Sequence, residues 1–420
     1  MSRKPARASL KAVRRLSVTK QHLAGKLPSH STRKTILSVV RDVAYIQWDP
    51  VPIVAPSHIL SLWNRVGGFR ASDLDRLLWR EKRLFQHWTP MASIVLSEDY
   101  PLYNSLMSRY PESLSKSWGS QRVRAKQFLA AHKDLRRRIL SEVRNGPLRV
   151  GEFGDHSVSK RNDGEWSPSS DVSQMLYHLT MSGDMMVVGH RGNQNLWGLS
   201  GQFLPDWVER KALTAEDAER EAAQRAIRAL GTASPREITF YFVRGRYDHL
   251  RDTLAHLEKE SMIHQVRVDE LGARDTRYIH SSDLALLEKL EGDSGWEPRV
   301  TLLPPFDNLV INSARTSHVF GFDYVREQFL PKEKRRFGTY VLPILWGEKF
   351  VGRIDPQMDR EKGELVIKAV HAEPGAPSDR TTITEIAETI RRLGSFLGAD
   401  RVRYAGRLPA SWRSALLRAG

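Results

Sequence analysis

The 420-residue chain contains no cysteine, which excludes disulfide bonds, thiolate zinc sites and a cysteine nucleophile. Long apolar runs are also missing: no stretch approaches the roughly 18 residues needed to cross a bilayer, and no signal-peptide core follows the basic start. Neither the GxxxxGK phosphate loop nor the HExxH zinc motif occurs. These absences predict a soluble, cytoplasmic protein whose chemistry uses no metal and no cofactor.

Acidic residues are scarce at the N-terminal end, where Met1 to Arg41 contain eleven Lys or Arg and no Asp or Glu. The whole chain has 65 Lys and Arg against 49 Asp and Glu, which gives a net charge of +16. Such an excess attracts polyanions at long range, so nucleic acid is the first partner to consider. The alternative is a basic surface that serves solubility alone, and charge by itself does not separate the two.

A winged-helix pattern is clearest between residues 213 and 280. Thr214 and Asp217 form a capping box at the start of a helix that ends at Gly231. Ser234 and Glu237 start a second helix, and a third follows the turn at residues 243–245. Three helices followed by a strand pair are typical of this DNA-binding fold. The two strands are predicted at Ile263 to Val268 and at Arg277 to His280.

The same order of elements recurs upstream. A helix from Gln127 to Arg144 precedes a helix from Asp171 to Met181 and a hairpin with residues 190–194 at its tip. Both third helices contain Leu-x-His-Leu, at residues 176–179 and 254–257, immediately before the strand pair. A less regular copy occupies the N-terminus, with helices at residues 10–23 and 32–44 and strands at Leu84 to Trp88 and Ala92 to Leu96.

From Arg299 onward, apolar residues alternate with period two in four predicted strands, and an amphipathic helix through Ile383 and Phe396 follows. The sequence therefore predicts an α+β protein with three tandem winged-helix modules and a β-rich C-terminal unit. We place these four units at residues 1–120, 121–210, 211–295 and 296–420.

The candidate catalytic residues lie between Tyr45 and Asp49, a short predicted strand after a helix. Alternation puts Gln47 and Asp49 on one face, towards a cleft, and Trp48 on the other face, in the core. A carboxylate beside an amide suits cleavage of a sugar–base bond, because the carboxylate stabilises a cationic sugar and activates the water that the amide holds. The alternative, which the spacing alone favours, is an ordinary Asp-Pro turn beside an exposed glutamine.

An ordered set of motifs covering nearly the whole chain resembles the AlkZ/YcaQ family of winged-helix DNA glycosylases. The motifs are IQWDP at residues 46–50, SHILSLW at 57–63, LLW at 77–79, Trp88 with Ala92 and Ser93, LPPFDNL at 303–309, FGFDY at 320–324, YVLPIL at 340–345 and GRID at 352–355.

This resemblance implies three winged helices that cradle DNA and a β-barrel-like C-terminal unit. It also implies monofunctional excision of alkylated (N7 or N3) purines from duplex DNA, with unhooking of interstrand crosslinks by some members. Gln47-Trp48-Asp49 matches the Gln-x-Asp motif of the YcaQ-like branch, so the resemblance assigns catalysis to Gln47 and Asp49. A DNA substrate places the protein at the nucleoid.

Two positions depart from the family pattern. Thr89 and Pro90 follow Trp88 where a small residue and often His are expected, and Pro56 stands where a basic residue is frequent. Both departures leave the substrate range open. The alternative function is that of a non-enzymatic winged-helix DNA-binding protein, such as a transcriptional regulator. Dimer-forming heptads are not evident, so we expect a monomer, and no lysine stands out as a Schiff-base nucleophile for strand nicking.

Candidate DNA contacts come from three regions. The hairpin tip offers side chains that donate to phosphate oxygens, although a solvated loop is the alternative. A basic run near residues 332–336 offers a phosphate-binding patch, although charge runs are more often solvated surface. Residues beside the catalytic motif and the first hairpin could contact DNA or be structural. The predicted DNA-binding residues are His58, Arg83, Trp88, His190, Arg191, Asn193, Gln194, Arg335 and Arg336.

Overall fold

The computed structural model describes residues 5–89, 91–154, 171–192 and 194–418. The chain divides into two compact units, each assembled from separate stretches. Unit 1 comprises Met1–Ala71, Ile227–Glu237 and Ser261–Gly420, and unit 2 comprises Ser72–Ala226 and Ile238–Glu260. The four-domain division at residues 120, 210 and 295 rests on the order of elements along the chain, and it stays a prediction.

Helices and strands are interspersed along the chain, which confirms the predicted α+β class. The helices are α1 (Leu10–Lys20), α2 (Arg33–Val43), α3 (Ser57–Val66), α4 (Ala71–Asp75), α5 (Tyr100–Met107), α6 (Gly119–Ala131), α7 (Lys133–Glu142), α8 (Asp171–Met181), α9 (Ser200–Phe203), α10 (Ala215–Leu230), α11 (Pro235–Tyr241), α12 (Leu250–Lys259), α13 (Leu284–Glu291), α14 (Ser313–Phe320), α15 (Arg380–Phe396) and α16 (Ala410–Arg418). In the described part of the chain, none of them is long and apolar enough to span a bilayer.

The strands are β1 (Ala6–Arg7), β2 (Ile46–Gln47), β3 (Leu84–Trp88), β4 (Ala92–Leu96), β5 (Met185–Arg191), β6 (Gln194–Leu199), β7 (Thr232–Ala233), β8 (Ile263–Arg267), β9 (Arg277–His280), β10 (Val300–Leu302), β11 (Leu342–Trp346), β12 (Lys349–Asp359), β13 (Glu364–Ala372) and β14 (Arg401–Arg407). The order of these elements follows the predicted helix and hairpin pattern, whereas the number of winged-helix modules stays a prediction.

Local capping signals fix several helix starts. At the start of α10, the Asp217 backbone N–H donates to Thr214 Oγ1 at 3.0 Å. At the start of α11, the Ser234 backbone N–H donates to Glu237 Oε2 at 3.0 Å. These bonds satisfy N–H groups that have no partner within the helix, which explains why sequence alone locates both starts.

The C-terminal strands form one open sheet in the order β10-β11-β12-β13-β14. The first four strands run antiparallel to their neighbours, whereas β14 lies parallel to β13. Within the described residues this sheet does not close, because β10 and β14 are edge strands. Helix α15 buries Ile386, Ile390 and Leu393 in the core that it shares with the sheet. The C-terminal unit is therefore an open sheet covered by a helix rather than a closed barrel.

Helix α3 belongs to the same core although it lies far upstream in the sequence. Its residues Leu60 and Trp63 are buried with the C-terminal sheet, together with Val54 and Ala55 of the preceding loop. The C-terminal sheet therefore positions the segment that follows the predicted catalytic motif.

Unit 2 contains two antiparallel hairpins, β3 with β4 and β5 with β6. The bounds of β3 and β4 are those predicted from the sequence, and β5 and β6 extend further towards their tip than predicted. The prediction of one helix from Gln127 to Arg144 is wrong. The chain forms α6 and α7 instead, because His132 has φ −117° and ψ +38°, which interrupts the helical backbone.

A buried ion pair connects α3 with the segment after β10 in unit 1. Arg65 donates to both Asp307 carboxylate oxygens, at 2.5 and 3.0 Å, and both side chains are fully buried. Arg65 also donates to the Ser61 carbonyl and to Gln21 Oε1, and the Leu309 backbone N–H donates to Asp307. The two charges therefore satisfy each other and fix three parts of the chain together.

We expect Asp307→Asn to lower the free energy of unfolding by about 3 kcal/mol or more, because it leaves the buried Arg65 guanidinium without its counter-charge. Urea denaturation followed by circular dichroism measures the change. The matched control is Glu388→Gln, which breaks the exposed Glu388–Arg391 pair of α15 and should cost less than about 1 kcal/mol. Equal urea midpoints for the two variants would show that the buried pair does not stabilise the fold.

Candidate active site

Asn308 forms hydrogen bonds with the backbone immediately before the segment that carries Gln47 and Asp49. Helix α2 ends at Val43, and Ala44 turns the chain with a φ of +69°, a conformation uncommon for alanine. Asn308 Nδ2 donates to the Tyr45 carbonyl at 2.9 Å and to the Val43 carbonyl at 3.3 Å. Strained backbone of this kind is found most often at functional sites.

The chain after the motif is fixed just as firmly. The Val51 backbone N–H donates to Asp49 Oδ1 at 3.3 Å, and the Ser57 backbone N–H donates to the Asp49 carbonyl at 3.0 Å. Arg360, directly after β12, donates to the carbonyls of Pro52 and Val54. Asp49 is therefore fixed by hydrogen bonds from the turn that follows it and from the N-terminus of α3.

Both predicted catalytic side chains are nearly buried. Gln47 exposes 8% of its surface and Asp49 exposes 9%. Within the described residues, neither Gln47 Oε1 nor Asp49 Oδ2 has a hydrogen-bond partner. A buried polar atom without a partner costs about 1–3 kcal/mol, so its presence calls for an explanation in strain, bound water or function. The fold thus leaves two acceptor oxygens unused at this motif.

Burial also changes the acid–base behaviour of Asp49. Removal from water raises the pKa of the Asp49 carboxyl, and the hydrogen bond from Val51 opposes this only in part. A carboxylate with a raised pKa is a stronger base than an exposed one. In the described residues, no group of three or more His, Asp or Glu is arranged to hold a metal ion.

Tyr340, which sequence reasoning did not select, lies near the motif. Burial raises the pKa of its phenol most, and the neighbouring Asp49 charge raises it further. Asp355 of β12 accepts hydrogen bonds from the backbone N–H groups of Thr339 and Tyr340, at 3.2 and 3.1 Å. A side chain at Gly338 would collide with the Asp355 carboxylate, 2.2 Å from the position of an added Cβ. No local pattern around Tyr340 indicates this proximity, because it arises from packing between distant segments.

Trp48 differs from its predicted role as the core anchor. It is partly exposed, and its ring stacks on His58 with a centroid distance of 4.0 Å and an interplanar angle of 12°. Tyr45 and Ile46 anchor the segment instead, since both are completely buried. Strand β2 covers only Ile46–Gln47, so regular alternation ends before Trp48. The stack places His58, which is itself buried, beside the motif.

In unit 2, the β5–β6 hairpin presents Arg191 and Gln194 at an exposed tip. The Arg191 side chain is 63% exposed, with Nη1 3.6 Å from Glu152 Oε1. Gly192 has a φ of +61°, and a Cβ built there would meet no atom of the described residues within 4 Å. The backbone at this tip is therefore open to a large ligand. The predicted contact Asn193 lies outside the described residues.

His190 occupies a different environment from the tip residues. Its ring meets Trp79 edge-on at 5.2 Å, and its Nε2 lies 3.2 Å from Gln86 Nε2. Burial lowers the pKa of His190, which favours the neutral ring. This environment suits an anchor between the two hairpins better than a cation aimed at a phosphate.

Arg83 precedes strand β3 of unit 2, and Trp88 is its last residue. The Arg83 guanidinium lies over the Trp207 ring at 4.7 Å, and Nη2 is 3.8 Å from Glu98. The Trp88 ring meets Tyr177 edge-on at 5.3 Å. Both side chains are therefore held by protein neighbours while part of each stays accessible. Pro90, the departure noted in the sequence, lies outside the described residues.

Arg335 and Arg336 border the loop that leads to Tyr340 in unit 1. Arg335 donates to the Leu330 carbonyl at 2.9 Å and to Thr339 Oγ1 at 3.1 Å, which commits its guanidinium to the loop. Arg336 is exposed and lies over the Phe337 ring at 5.0 Å. Of the two, Arg336 has the better geometry for a phosphate.

The raised pKa of Asp49 predicts a pH-dependent gain in stability for Asp49→Asn. Above its folded-state pKa the buried carboxylate is ionised and destabilises the fold, whereas below its unfolded-state pKa it is protonated in both states and the penalty disappears. We therefore expect the variant to melt at a higher temperature than the parent at pH 7, with the difference shrinking as the pH falls towards about 4. Thermal unfolding across this range measures it. The control Asp206→Asn alters an exposed carboxylate, and a gain equal to that of Asp49→Asn would contradict the buried-charge interpretation.

Comparison with known proteins places these residues in a family. A family model described as DNA glycosylase AlkZ-like matches residues 40–396, which confirms the resemblance found in the motifs. Among solved structures, the Streptomyces sahachiroi DNA glycosylase AlkZ aligns with a TM-score of 0.64 and 16% identity, covering 96% of this chain and 100% of that chain. That likeness establishes a shared fold, and the family match spans most of the sequence. The chain belongs to the AlkZ-like family of DNA glycosylases.

Proposed function

We propose that the protein is a monofunctional DNA glycosylase that hydrolyses the N-glycosidic bond of N7- or N3-alkylated purines in duplex DNA. Family membership supports a DNA glycosylase. The observation that carries the specific chemistry is the pair of buried oxygens without partners, Gln47 Oε1 and Asp49 Oδ2. An alkylated purine already carries positive charge, so it leaves as a neutral base and needs little acid assistance.

In the proposed reaction, the C1′–N bond breaks as the base takes the bonding electrons. The Asp49 carboxylate stabilises the positive charge that develops on the sugar. A water molecule, accepted as a hydrogen-bond donor by Gln47 Oε1, attacks C1′ and forms the new C–O bond. Its proton passes to Asp49, whose raised pKa favours acceptance. The products are a free base and an abasic site, and strand nicking is not part of the reaction.

DNA binding is proposed to use the exposed basic side chains. The net charge of +16 supplies long-range attraction to the phosphate backbone. Arg191 and Gln194 at the hairpin tip and Arg336 have the exposure that phosphate contacts need, whereas His58, Arg83, Trp88 and His190 are proposed to support or line the binding surface. The protein is proposed to act as a monomer. Unhooking of interstrand crosslinks is also proposed, because it requires cleavage of the same N-glycosidic bond at a base that is tethered to the opposite strand.

The rival function is that of a DNA-binding regulator without enzymatic activity. A regulator has no use for a desolvated carboxylate beside an unpaired amide oxygen, because both destabilise the fold without contributing to affinity for an anion. The family match favours the enzyme as well. The rival predicts tight binding to one operator-like sequence with no released base.

We expect Asp49→Asn and Gln47→Ala each to lower the single-turnover rate of N7-methylguanine release by about a hundredfold or more, because each removes a group that acts in the transition state. Duplex affinity should stay within about threefold of the parent, since neither nearly buried residue adds to the basic surface. Hot-alkali cleavage of abasic sites in a labelled duplex measures excision, and gel shift measures binding.

The controls are Gln202→Ala and Asp206→Asn, which remove an exposed amide and an exposed carboxylate elsewhere in the chain. Both should excise like the parent. If Asp49→Asn releases the base at the parental rate, the proposed catalytic pair is wrong. If the parent itself leaves every alkylated duplex intact, the regulator becomes the better interpretation.

We expect Arg191→Gln to weaken duplex binding about equally for all sequences. Removal of one phosphate contact should reduce the slope of log K against log salt by about 0.9. Fluorescence anisotropy at several salt concentrations measures the slope. The control is Arg413→Gln on α16, an exposed arginine outside the proposed contacts, and equal slopes for the two variants would remove the hairpin tip from the DNA interface.

A further inference from the structure

A pocket of about 360 Å³ lies in unit 1 at the C-terminal end of α3, away from Gln47 and Asp49 at the other end of that helix. Its volume falls within the range of about 300–1,000 Å³ that is typical of small-molecule sites. Helix α3 spans ten residues, so its two ends are separated by about 15 Å. Its lining includes Trp63, Gly68, Arg299, Thr301, Arg392 and Phe396.

One wall of the pocket is aromatic. The Trp63 and Phe396 rings stack with a centroid distance of 5.8 Å and an interplanar angle of 27°, and Phe69 packs against Phe396 at 5.8 Å. Leu27 and Val300 add aliphatic surface. Such a wall suits a flat, apolar molecule, because planar groups stack well on aromatic rings.

The charged part of the pocket is Arg299, a buried cation that has no acidic partner among the described residues. It exposes 7% of its surface, and its Nη atoms donate only to backbone carbonyls, those of His22, Gly25 and Asn64. In the described part of the chain, no carboxylate lies within ion-pair distance of it. A buried guanidinium in this state is stabilised by any anion that reaches it.

Two polar atoms of residues that line the pocket are buried and have no hydrogen-bond partner among the described residues. They are Arg299 Nε and Thr301 Oγ1, and Thr301 exposes only 2% of its surface. Arg392, on the exposed side of α15, adds a second guanidinium and donates to Thr389 Oγ1 at 2.7 Å. Burial lowers the pKa of Arg299 to about 10, with smaller contributions from Arg65 and Arg392, and the Glu385 carboxylate opposes this shift.

We infer that this pocket binds a small planar organic anion, with its ring on Trp63 and Phe396 and its acidic group near Arg299, Thr301 and Arg392. The ligand is a mononucleotide or an aromatic carboxylate, which share this chemistry. The site is separate from the one that holds Gln47 and Asp49, so it does not depend on the proposed excision reaction.

Titration of the full-length protein with the fluorescent aromatic sulfonate 1-anilinonaphthalene-8-sulfonate tests the inference. We expect saturable binding with one site per chain. Gly68→Leu should abolish this binding, because Gly68 lines the pocket, has an ordinary φ and would place its new side chain in open space. The control is Gly201→Leu, where an added Cβ also meets open space but outside the pocket, and it should bind like the parent.

Arg392→Gln should weaken dye binding about tenfold through loss of a charged hydrogen bond, and Arg392→Lys should restore part of it. Displacement by adenosine monophosphate but not by 2-naphthoate would identify a nucleotide site, and the reverse would identify an aromatic carboxylate site. Retention of the dye in the presence of both competitors would overturn the proposed ligand class. Dye binding that is equal in the parent and in Gly68→Leu would overturn the site itself.

Discussion

The buried Arg65–Asp307 pair holds together the parts of unit 1 on which the active-site motif depends. Arg65 comes from the last turn of α3, and the residue after Asp307 is Asn308, whose amide fixes the carbonyls on either side of the turn into β2. The segment that contains Asp307 and Asn308 thus orients both α3 and the motif that carries Gln47 and Asp49. Charge pairs in a low-dielectric interior tolerate little displacement, because either partner alone would be a desolvated ion. Because the pair tolerates little displacement, it fixes the positions of α3 and of the segment that contains Asn308.

Asp49 carries a local loss of stability that the proposed chemistry explains. Its backbone and one carboxylate oxygen are held by Val51 and Ser57, yet the other oxygen has no partner among the described residues. A sequence selected for stability alone would place a neutral or exposed side chain there. The surrounding framework, including the C-terminal sheet that packs on α3, supplies the stability that this motif does not.

Sequence predicted the features that depend on neighbouring residues. The capping boxes at Thr214 and Ser234 need only a side chain three positions away, and β3 and β4 are short runs rich in apolar residues whose bounds the local sequence shows. Features that depend on distant residues were missed: Tyr340 beside Asp49, and β14, whose polar residues Arg401–Arg407 form an edge strand that no apolar alternation marks. Trp48 was misjudged for a related reason, because its stacking on His58 needs the turn between them to bring the two rings together.

The two proposed sets of functional residues differ in how firmly the protein holds them, and the difference matches the role proposed for each. Cleavage of a bond demands positions accurate to fractions of an ångström, and Gln47 and Asp49 lie on buried backbone that is held by hydrogen bonds to several carbonyls. A phosphate contact tolerates a wide range of distances and angles, because the attraction is largely electrostatic and carries no sequence information. An exposed hairpin tip with an unhindered glycine at Gly192 meets that looser requirement. The proposed catalytic residues therefore suit a rigid, buried backbone, whereas the proposed phosphate contacts suit an exposed loop, and this chain contains both.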